Sequence, residues 1–309
     1  MSVKFIADIG SNHNQDLNRI EKLIITAKEI GCYAIKFQLF RGEKLYALEF
    51  PEKIKEAQAQ ELPIEFIPKI FAICHAHKIE FHCTPFDLEA VEILKPYVNQ
   101  FKIGSYEILN LKLIKACAET GRPLGLSFGN WEEDKERRYR MKDFLGFILM
   151  NILYTHPRNL TLYHCVSQYP ANAIECNMKN ALEILKDSYE DEAINYNLGE
   201  AEFGWSDHTV QSGVIYAAAA CGVDCIEFHL DLEDGQGMEY KYGHCWKPSQ
   251  IESTIRNIRI MELAFAEPKN KISPSDNYKW RSDPEDGMRP LKEFRKELSQ
   301  KEFLKDTTD

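Results

Sequence analysis

Polar and charged side chains recur where short apolar runs of this sequence end. Eight such runs can be distinguished in the 309 residues, and each has a polar residue at or just beyond its last position. The residues concerned are Asp8, Asn12, His13, Lys36, Gln38, Thr84, Lys102, Ser105, Glu107, Ser127, His164, Ser167, Tyr169, Ser206, Asp207, His208 and His229. One such residue says little, because a strand can end in many residue types. A set that recurs on every run indicates a shared site if the ends of the runs converge.

Two of these residues are lysines embedded in apolar sequence. Lys36 lies within AIKFQLF and Lys102 within QFKIGS. An ammonium group inside a protein is costly unless anions surround it, so each lysine either points outward, pairs with a structural carboxylate or binds an anionic ligand. Taken together with Ser105, Ser127 and Ser206, the two lysines predict a cradle for phosphate and carboxylate groups.

Two histidines, His208 and His229, end the last two runs. On adjacent strands their imidazoles would lie close together, and neutral imidazoles suit Mn, Fe, Co or Zn. A single histidine in such a place is more often a hydrogen-bonded core residue. The pair, rather than either member, therefore predicts a metal site.

Three carboxylates complete the candidate set. Asp8 ends the first run, Glu107 lies in GSYE beside the second lysine, and Glu239 lies in the loop after the eighth run. They could hold hydroxyl groups of a ligand or move a proton, and the alternative is that they are solvated loop acids.

The pattern around these residues predicts alternating strands and helices. Candidate strands are 3–9, 33–38, 79–83, 100–104, 123–127, 160–165, 202–206 and 225–230. Helical periodicity occurs at 17–30, 65–77, 87–94, 109–118, 210–220 and 249–265. The last helix is predicted to begin at Ser249, because Ser249 and Glu252 have the spacing of a capping box. Eight strand–helix units predict an α/β fold, a (β/α)8 TIM barrel. No GxGxxG follows the first strand, which disfavours an open dinucleotide-binding sheet.

Composition limits the classes of partner. We expect one barrel domain over residues 1–266 and a polar tail over 267–309 with a short helix near 290–304. The formal net charge of −10 disfavours non-specific nucleic-acid binding. The sequence does not begin like a signal peptide, and its longest apolar stretch, 144–154, is shorter than the roughly 20 residues of a membrane helix. With nine cysteines and no CxxC pair, we expect a cytoplasmic protein in a reducing compartment that binds neither nucleic acid nor membrane.

At these positions the sequence resembles the sialic acid synthase family, which includes N-acetylneuraminate, legionaminate and pseudaminate synthases. The matching segments, in order along the chain, are ADIGSNHNQD, AIKFQLF, HCTPFD, KIGSYEILNLKLIKACAETGRPLGLSFGN, LYHCVSQYP, GWSDHT and CIEFHL. The resemblance implies a barrel enzyme that joins C3 of phosphoenolpyruvate to the aldehyde carbon of a hexosamine such as N-acetylmannosamine. Water adds at C2 and phosphate leaves, giving a nonulosonic or related 2-keto-3-deoxy acid.

The resemblance also implies roles for individual residues. A divalent metal, Mn with Mg or Co as alternatives, would be held by His208 and His229, and His208 would also be catalytic. The residues that match the family's phosphoenolpyruvate contacts are Lys36, Thr84, Lys102, Ser105, Ser127 and Ser206, with Ser167 where the family has asparagine. Those that match sugar contacts are Gln38 and Tyr169, with Glu239 as the counterpart of an acid in the eighth loop. The expected catalytic acids are Glu107, which lies in GSYE and matches the acid of the family's GSGE motif, and Asp8, in place of a strand-one glutamate.

The departures from the family concern the acceptor side. Family members usually end in an antifreeze-like domain that is swapped between subunits, whereas this sequence stops at Asp309, so we expect any homodimer to form by another route. LSFGN replaces LSTGM and is predicted to bring Phe128 and Asn130 into the mouth of the barrel. The longer eighth loop adds His244 and Trp246. These changes predict a non-standard acceptor, with a sugar that is not N-acylated as one alternative.

Two other functions remain open at this stage. A related synthase could act on a phosphorylated aldose, as octulosonate and heptulosonate phosphate synthases do, but no second cluster of arginines marks the strand ends. A catalytically silent barrel could bind a sugar or a partner synthase, although both lysines and both histidines are retained.

Overall fold

The computed structural model describes residues 2–129, 143–153, 159–196 and 199–266. In these residues nine parallel strands form one sheet in sequence order, and pairing of the first strand with the eighth closes a barrel. The strands are β1 (Lys4–Asp8), β2 (Ala34–Leu39), β3 (Glu80–Pro85), β4 (Gln100–Ile103), β5 (Leu124–Gly129), β6 (Leu160–Cys165), β7 (Ala201–Asp207), β8 (Cys225–Leu230) and β9 (Cys245–Trp246). The predicted (β/α)8 TIM barrel is confirmed.

Some of the helices between the strands begin at side-chain caps. The helices are α1 (Leu17–Glu29), α2 (Gly42–Leu45), α3 (Pro51–Gln58), α4 (Ile67–His77), α5 (Leu88–Leu94), α6 (Leu111–Glu119), α7 (143–148, continued by a π-helical turn Leu149–Leu153), α8 (Met178–Tyr196), α9 (Ser212–Ala220) and α10 (Pro248–Phe265). The side chains of Asp16, Asp87 and Asn110 accept first-turn N–H groups of α1, α5 and α6, and such caps contribute about 1 kcal/mol each. Periodicity does not predict α2, α3, α7, α8 or the two-residue strand β9.

The start of α10 differs from the prediction. The helix begins at Pro248, and the Ser249 hydroxyl donates to Glu233 Oε1 at 2.8 Å instead of capping the helix. The Gln250 side chain accepts the Lys247 N–H at 3.0 Å. Proline suits the first helical position because its missing N–H would have had no partner in the helix. The predicted helix is therefore present, but the predicted capping box is wrong.

Successive residues of each strand point to opposite sides of the barrel wall, and this alternation separates the core from the site. In β8, Ile226, Phe228 and Leu230 belong to the main hydrophobic core, whereas Glu227 and His229 are buried polar residues. Complete burial of one such apolar side chain contributes about 1.5–3 kcal/mol. The outward-facing residues thus stabilise a wall whose inner side can carry charges.

The chain divides into two compact units, Met1–Glu262 and Leu263–Asp309. Of the second unit only residues 263–266 are described, so the predicted tail with a helix near 290–304 lies outside the described residues. Within the described ranges, no helix has both the length and the apolar composition needed to cross a membrane.

Candidate active site

A cavity of about 660 Å³ opens at the carboxyl ends of the barrel strands. The predicted site residues that line it are Asp8, Lys36, Gln38, Thr84, Lys102, Ser105, Glu107, Ser127, Tyr169, Ser206, His208, His229 and Glu239. Its walls also include the apolar and aromatic residues Phe40, Leu45, Tyr46, Phe86, Tyr106 and Tyr242. Residues that are distant in the sequence are thus brought to one mouth, because all strands of the barrel run in the same direction.

The two lysines lie in the cavity and share a buried carboxylate that sequence reasoning missed. Lys36 Nζ lies 2.6 Å from Asp8 Oδ2 and 3.4 Å from Glu227 Oε1, and Lys102 Nζ lies 2.8 Å from the same Glu227 oxygen. The Ser206 hydroxyl donates to Glu227 Oε1 as well, at 3.0 Å. A signal for Glu227 was available, since it lies two residues before His229 in β8 and must therefore share its face.

Burial and charge oppose each other in this group. Burial alone would raise the pKa of Glu227, but the ammonium groups of Lys102 and Lys36 hold that pKa well below its usual range. Burial and the neighbouring Lys36 lower the pKa of Lys102, against the attraction of Glu227. Two ammonium groups and the carboxylates of Asp8 and Glu227 give a formal charge of zero. An anionic ligand would therefore stabilise the charged form of Lys102.

Several hydroxyl groups are arranged around the lysines. Thr84 Oγ1 and Ser127 Oγ are buried and lack a hydrogen-bond partner among the described residues. A buried polar atom left in this state costs about 1–3 kcal/mol, which a ligand oxygen can recover. Ser105 Oγ lies 2.6 Å from Ser167 Oγ, and Ser167 itself does not line the cavity.

His208 and His229 are close together, with ring centres 5.5 Å apart. His208 Nδ1 lies 2.7 Å from the Val166 carbonyl oxygen, while His229 Nδ1 lies 3.0 Å from Glu239 Oε2 and its Nε2 lies 3.6 Å from Asp8 Oδ2. Burial, helped by the neighbouring imidazole, lowers the pKa of His208 to about 3. Burial opposes protonation of His229 too, but Asp8 and Glu239 raise its pKa.

This arrangement fits a divalent cation. His208 is neutral at physiological pH and can offer a lone pair to a metal ion. The carboxylates that attract a proton to His229 would equally attract a metal ion bound to that ring. His229, Glu239, His244 and Cys245 also offer ligand atoms that all lie within 4.8 Å of one another.

The loop after β1 holds Glu239 in place. The Ser11 N–H donates to Glu239 Oε1 at 2.7 Å, and the Glu239 N–H donates to Asn12 Oδ1 at 2.9 Å. A Cβ atom on Gly10, whose φ is +50°, would lie 2.1 Å from Glu239 Oε1. Only glycine therefore allows this approach, which explains the role of the GSN segment after β1.

Glu107 enters the cavity from the loop after β4. A Cβ atom on Gly104 would lie 2.7 Å from Glu107 Oε2, so the carboxyl group lies directly over that glycine. Burial raises the pKa of Glu107, despite some attraction from Lys36. The group is thereby made a better proton carrier near neutral pH than an exposed carboxylate.

Some residues predicted at the mouth lie elsewhere. Phe128 is buried and belongs to the hydrophobic core, so its predicted place in the mouth is wrong, while Asn130 lies outside the described residues. Trp246 is buried and donates its indole N–H to Asp207 Oδ2 at 3.1 Å. Besides Ser167, the predicted residues at strand ends that do not line the cavity are Asn12, His13, His164 and Asp207.

Comparison with known proteins identifies relatives over most of the chain. The model of the NeuB family matches residues 23–270. An N,N'-diacetyllegionaminic acid synthase from Campylobacter jejuni is 31% identical over 291 residues, covering 88% of this chain and 80% of the relative. A synthase of the same name from Legionella pneumophila is 29% identical over 294 residues, covering 90% and 76%.

A solved structure is similar over almost the whole length of both chains. The crystal structure of an N-acetylneuraminic acid (sialic acid) synthetase from Leptospira borgpetersenii in complex with citrate has a TM-score of 0.74 and 25% sequence identity. The similarity covers 90% of each chain.

Proposed function

The chain belongs to the NeuB family, and from that premise we propose that it condenses phosphoenolpyruvate with the aldehyde of a hexosamine-like sugar. The products would be a nonulosonic or related 2-keto-3-deoxy acid and phosphate. The observation that carries this proposal is the buried pair Lys36 and Lys102, which lies among unpartnered hydroxyl groups and beside two adjacent histidines. A family barrel that had lost its activity would have no need to keep such costly buried charges.

Phosphoenolpyruvate would bind over the two ammonium groups. Its phosphate and carboxylate need cations and hydroxyl donors, and Lys36, Lys102, Thr84, Ser105 and Ser127 all line one cavity. Hydrogen bonds to an ionised ligand contribute about 1.5–3 kcal/mol each. In the empty site the carboxylates of Asp8 and Glu227 neutralise the two ammonium groups. The bound anion would therefore compete with Glu227 for these ammonium groups.

His208 and His229 would hold the divalent cation, with Mn proposed and Mg or Co as alternatives. When bound, the cation would supply Lewis-acid polarisation of the acceptor aldehyde. The Glu239 carboxylate orients His229 through its Nδ1 atom, and the Val166 carbonyl does the same for His208. Such outer contacts set which nitrogen of each ring remains available.

Proton transfers balance the reaction. The new bond joins C3 of phosphoenolpyruvate to the aldehyde carbon, whose oxygen must gain a proton. The water that adds at C2 loses one proton on addition and its second as the C2 carbonyl forms, when the C2–O bond breaks and phosphate leaves with the electron pair and a proton. Glu107 is proposed as the group that carries a proton, because burial raises its pKa. Asp8 accepts a hydrogen bond from Gln38 Nε2 at 3.1 Å and contacts Lys36, which suits it to position the reacting end of the acceptor.

The acceptor is proposed to be an unphosphorylated sugar. The described residues that line the cavity include two lysines, Lys36 and Lys102, and no arginine. Both lysines pair with carboxylates. A second phosphate group would need a further cationic site. The aromatic residues Tyr46, Tyr106 and Tyr242 on the walls suit the apolar face of a sugar ring.

Phosphate release from phosphoenolpyruvate tests this function. The assay combines the protein with Mn, phosphoenolpyruvate and a panel of free and N-acylated hexosamines, beside arabinose 5-phosphate and erythrose 4-phosphate. We expect release with a hexosamine that carries no phosphate, loss of turnover in His208→Ala, and weaker phosphoenolpyruvate binding in Lys102→Ala. Release with a phosphorylated aldose alone would favour the related synthase, and no release together with no metal binding would favour the silent barrel.

A further inference from the structure

A third imidazole lies beside the proposed metal ligands. We propose that His244 is an additional protein ligand of the cation assigned to His208 and His229, with Glu239 holding two of the three rings in position. The inference rests on the proposed function only in that it takes this cation as given. It would make the site richer in nitrogen ligands than a pair of histidines.

The short strand β9 brings His244 to this place. β9 pairs with β8 so that Cys245 lies opposite His229, and His244 comes directly before Cys245. The ring centres of His229 and His244 are 4.7 Å apart, and His244 is only 4% exposed. Because metal–nitrogen bonds are about 2.1 Å long, imidazoles at neighbouring coordination positions of one ion have ring centres within about 6 Å of each other. Both His208 and His244 meet this condition relative to His229.

One nitrogen of each of the three rings lies beside a carbonyl or carboxylate oxygen, and the other nitrogen makes no hydrogen bond within the described part of the chain. His208 Nδ1 contacts the Val166 carbonyl oxygen, and His229 Nδ1 contacts Glu239 Oε2. His244 Nε2 lies 3.5 Å from the same Glu239 oxygen, while its Nδ1 is buried and has no partner in the described part of the chain. Metal-binding histidines usually donate their other N–H to a carboxylate or carbonyl oxygen. All three rings follow that pattern.

Another buried histidine shows the opposite pattern. His13 Nδ1 accepts the Gln15 N–H at 3.0 Å, so the proton of that ring belongs on Nε2. Although His13 Nε2 also lacks a partner, it is a donor in this state and cannot ligate a cation. His244 Nδ1 therefore differs from His13 Nε2, because it can keep its lone pair for a cation.

A third neutral nitrogen ligand would strengthen the binding of a divalent transition-metal ion. Affinity for nitrogen-containing sites rises from Mn through Fe and Co. We therefore expect the protein to bind Co²⁺ more tightly than Mn²⁺, and replacement of His244 to reduce affinity for both. The loss of an outer partner alone weakens metal binding about 10–100-fold, so loss of a ligand should cost at least tenfold.

Direct metal binding by the metal-free full chain tests the proposal. Free Mn²⁺ is counted from its electron paramagnetic resonance signal, and Co²⁺ binding is followed by visible absorption, which reports the coordination sphere. His244→Phe keeps a ring against Tyr169 and Tyr242 but removes the nitrogen. His82→Phe is the matched control, because His82 lies on β3 and does not line the cavity. Circular dichroism of each metal-free variant checks that it is folded.

The outcomes separate this inference from the proposed function. It is supported if His244→Phe weakens Mn²⁺ and Co²⁺ binding at least tenfold and changes the Co²⁺ spectrum, while His82→Phe behaves as wild type. It is overturned if His244→Phe matches wild type within twofold while His208→Ala and His229→Ala lose binding, and the proposed function then stands. If the wild-type chain binds neither ion, both are overturned.

Discussion

Replacement of Glu227 tests the arrangement of the two lysines. In Glu227→Gln the side chain keeps its size, but Lys36 and Lys102 lose the carboxylate that lies 3.4 and 2.8 Å from their ammonium groups. Removing one partner of a buried ion pair costs about 3–5 kcal/mol, because the remaining charge stays buried. Asp8 still lies 2.6 Å from Lys36 Nζ, so we expect the lower part of that range, about 3–4 kcal/mol of unfolding free energy.

Urea unfolding followed by tryptophan fluorescence measures this loss, since Trp205 and Trp246 are buried in the barrel. The matched control is Glu202→Gln, which removes the same charge from an exposed pair with Lys4 and should cost at most about 1 kcal/mol. Equal losses in the two variants would refute the reasoning, because the lysines would then not depend on Glu227. Saturating phosphoenolpyruvate should narrow the difference between wild type and Glu227→Gln, since the ligand supplies the missing negative charge.

The same residue predicts the sign of a pH effect. Although burial opposes it, the lysines lower the pKa of Glu227 in the folded protein below its ordinary value of 4.5. A carboxyl group of this kind contributes stability above its unfolded pKa and loses it as the pH falls. The stability difference between wild type and Glu227→Gln should therefore be constant near neutrality and shrink below pH 4.5. A difference that grows on acidification would contradict this assignment.

Two further substitutions test the cradle and the loop. Ser127→Ala should raise the unfolding free energy of the unliganded protein by about 1–3 kcal/mol, because it removes a buried hydroxyl that has no partner among the described residues. The same change should weaken phosphoenolpyruvate binding by about 10–150-fold by calorimetry, the equivalent of one lost hydrogen bond to a charged group, about 1.5–3 kcal/mol. Gly10→Ala would place a Cβ 2.1 Å from Glu239 Oε1, and we expect it to displace Glu239 and weaken Mn²⁺ binding about 10–100-fold. Gly199→Ala, where a Cβ meets nothing within 4 Å, is its control and should bind Mn²⁺ as wild type does.

Much of the site could be predicted because a parallel barrel brings all its strand ends to one mouth. Lys36 and Lys102 are recognisable as charges inside apolar strands, and His208 and His229 as polar residues that end neighbouring strands. In each case the residue type and its position in the strand predict a side chain at the mouth of the barrel, where the topology brings the strand ends together. The pairing of β1 with β8 then closes the ring on which these positions depend.

The positions of Phe128 and Glu227 depend on which face of the strand each residue occupies, and not on how close each lies to the strand end. Ser127 faces the cavity, so the next residue, Phe128, must face the core by the two-residue alternation of a strand. The same alternation places Glu227 beside His229 inside the barrel. Both the wrong placement of Phe128 and the omission of Glu227 could have been avoided from the sequence.

Other features could not be reached by periodicity. β9 has only two residues, and its pairing with β8 is what carries His244 to His229. A strand this short has no detectable repeat. The contact of Glu239 with Ser11 joins loops 228 positions apart and depends on the close approach that Gly10 permits.

Anomalous diffraction from crystals soaked with Mn²⁺ and phosphoenolpyruvate would locate both ligands in the barrel. We expect a manganese peak within bonding distance of both His208 and His229, and phosphate density in contact with Lys36 and Lys102. A peak remote from the two histidines, or lysines that stay paired with Asp8 and Glu227 while phosphoenolpyruvate binds elsewhere, would contradict this expectation.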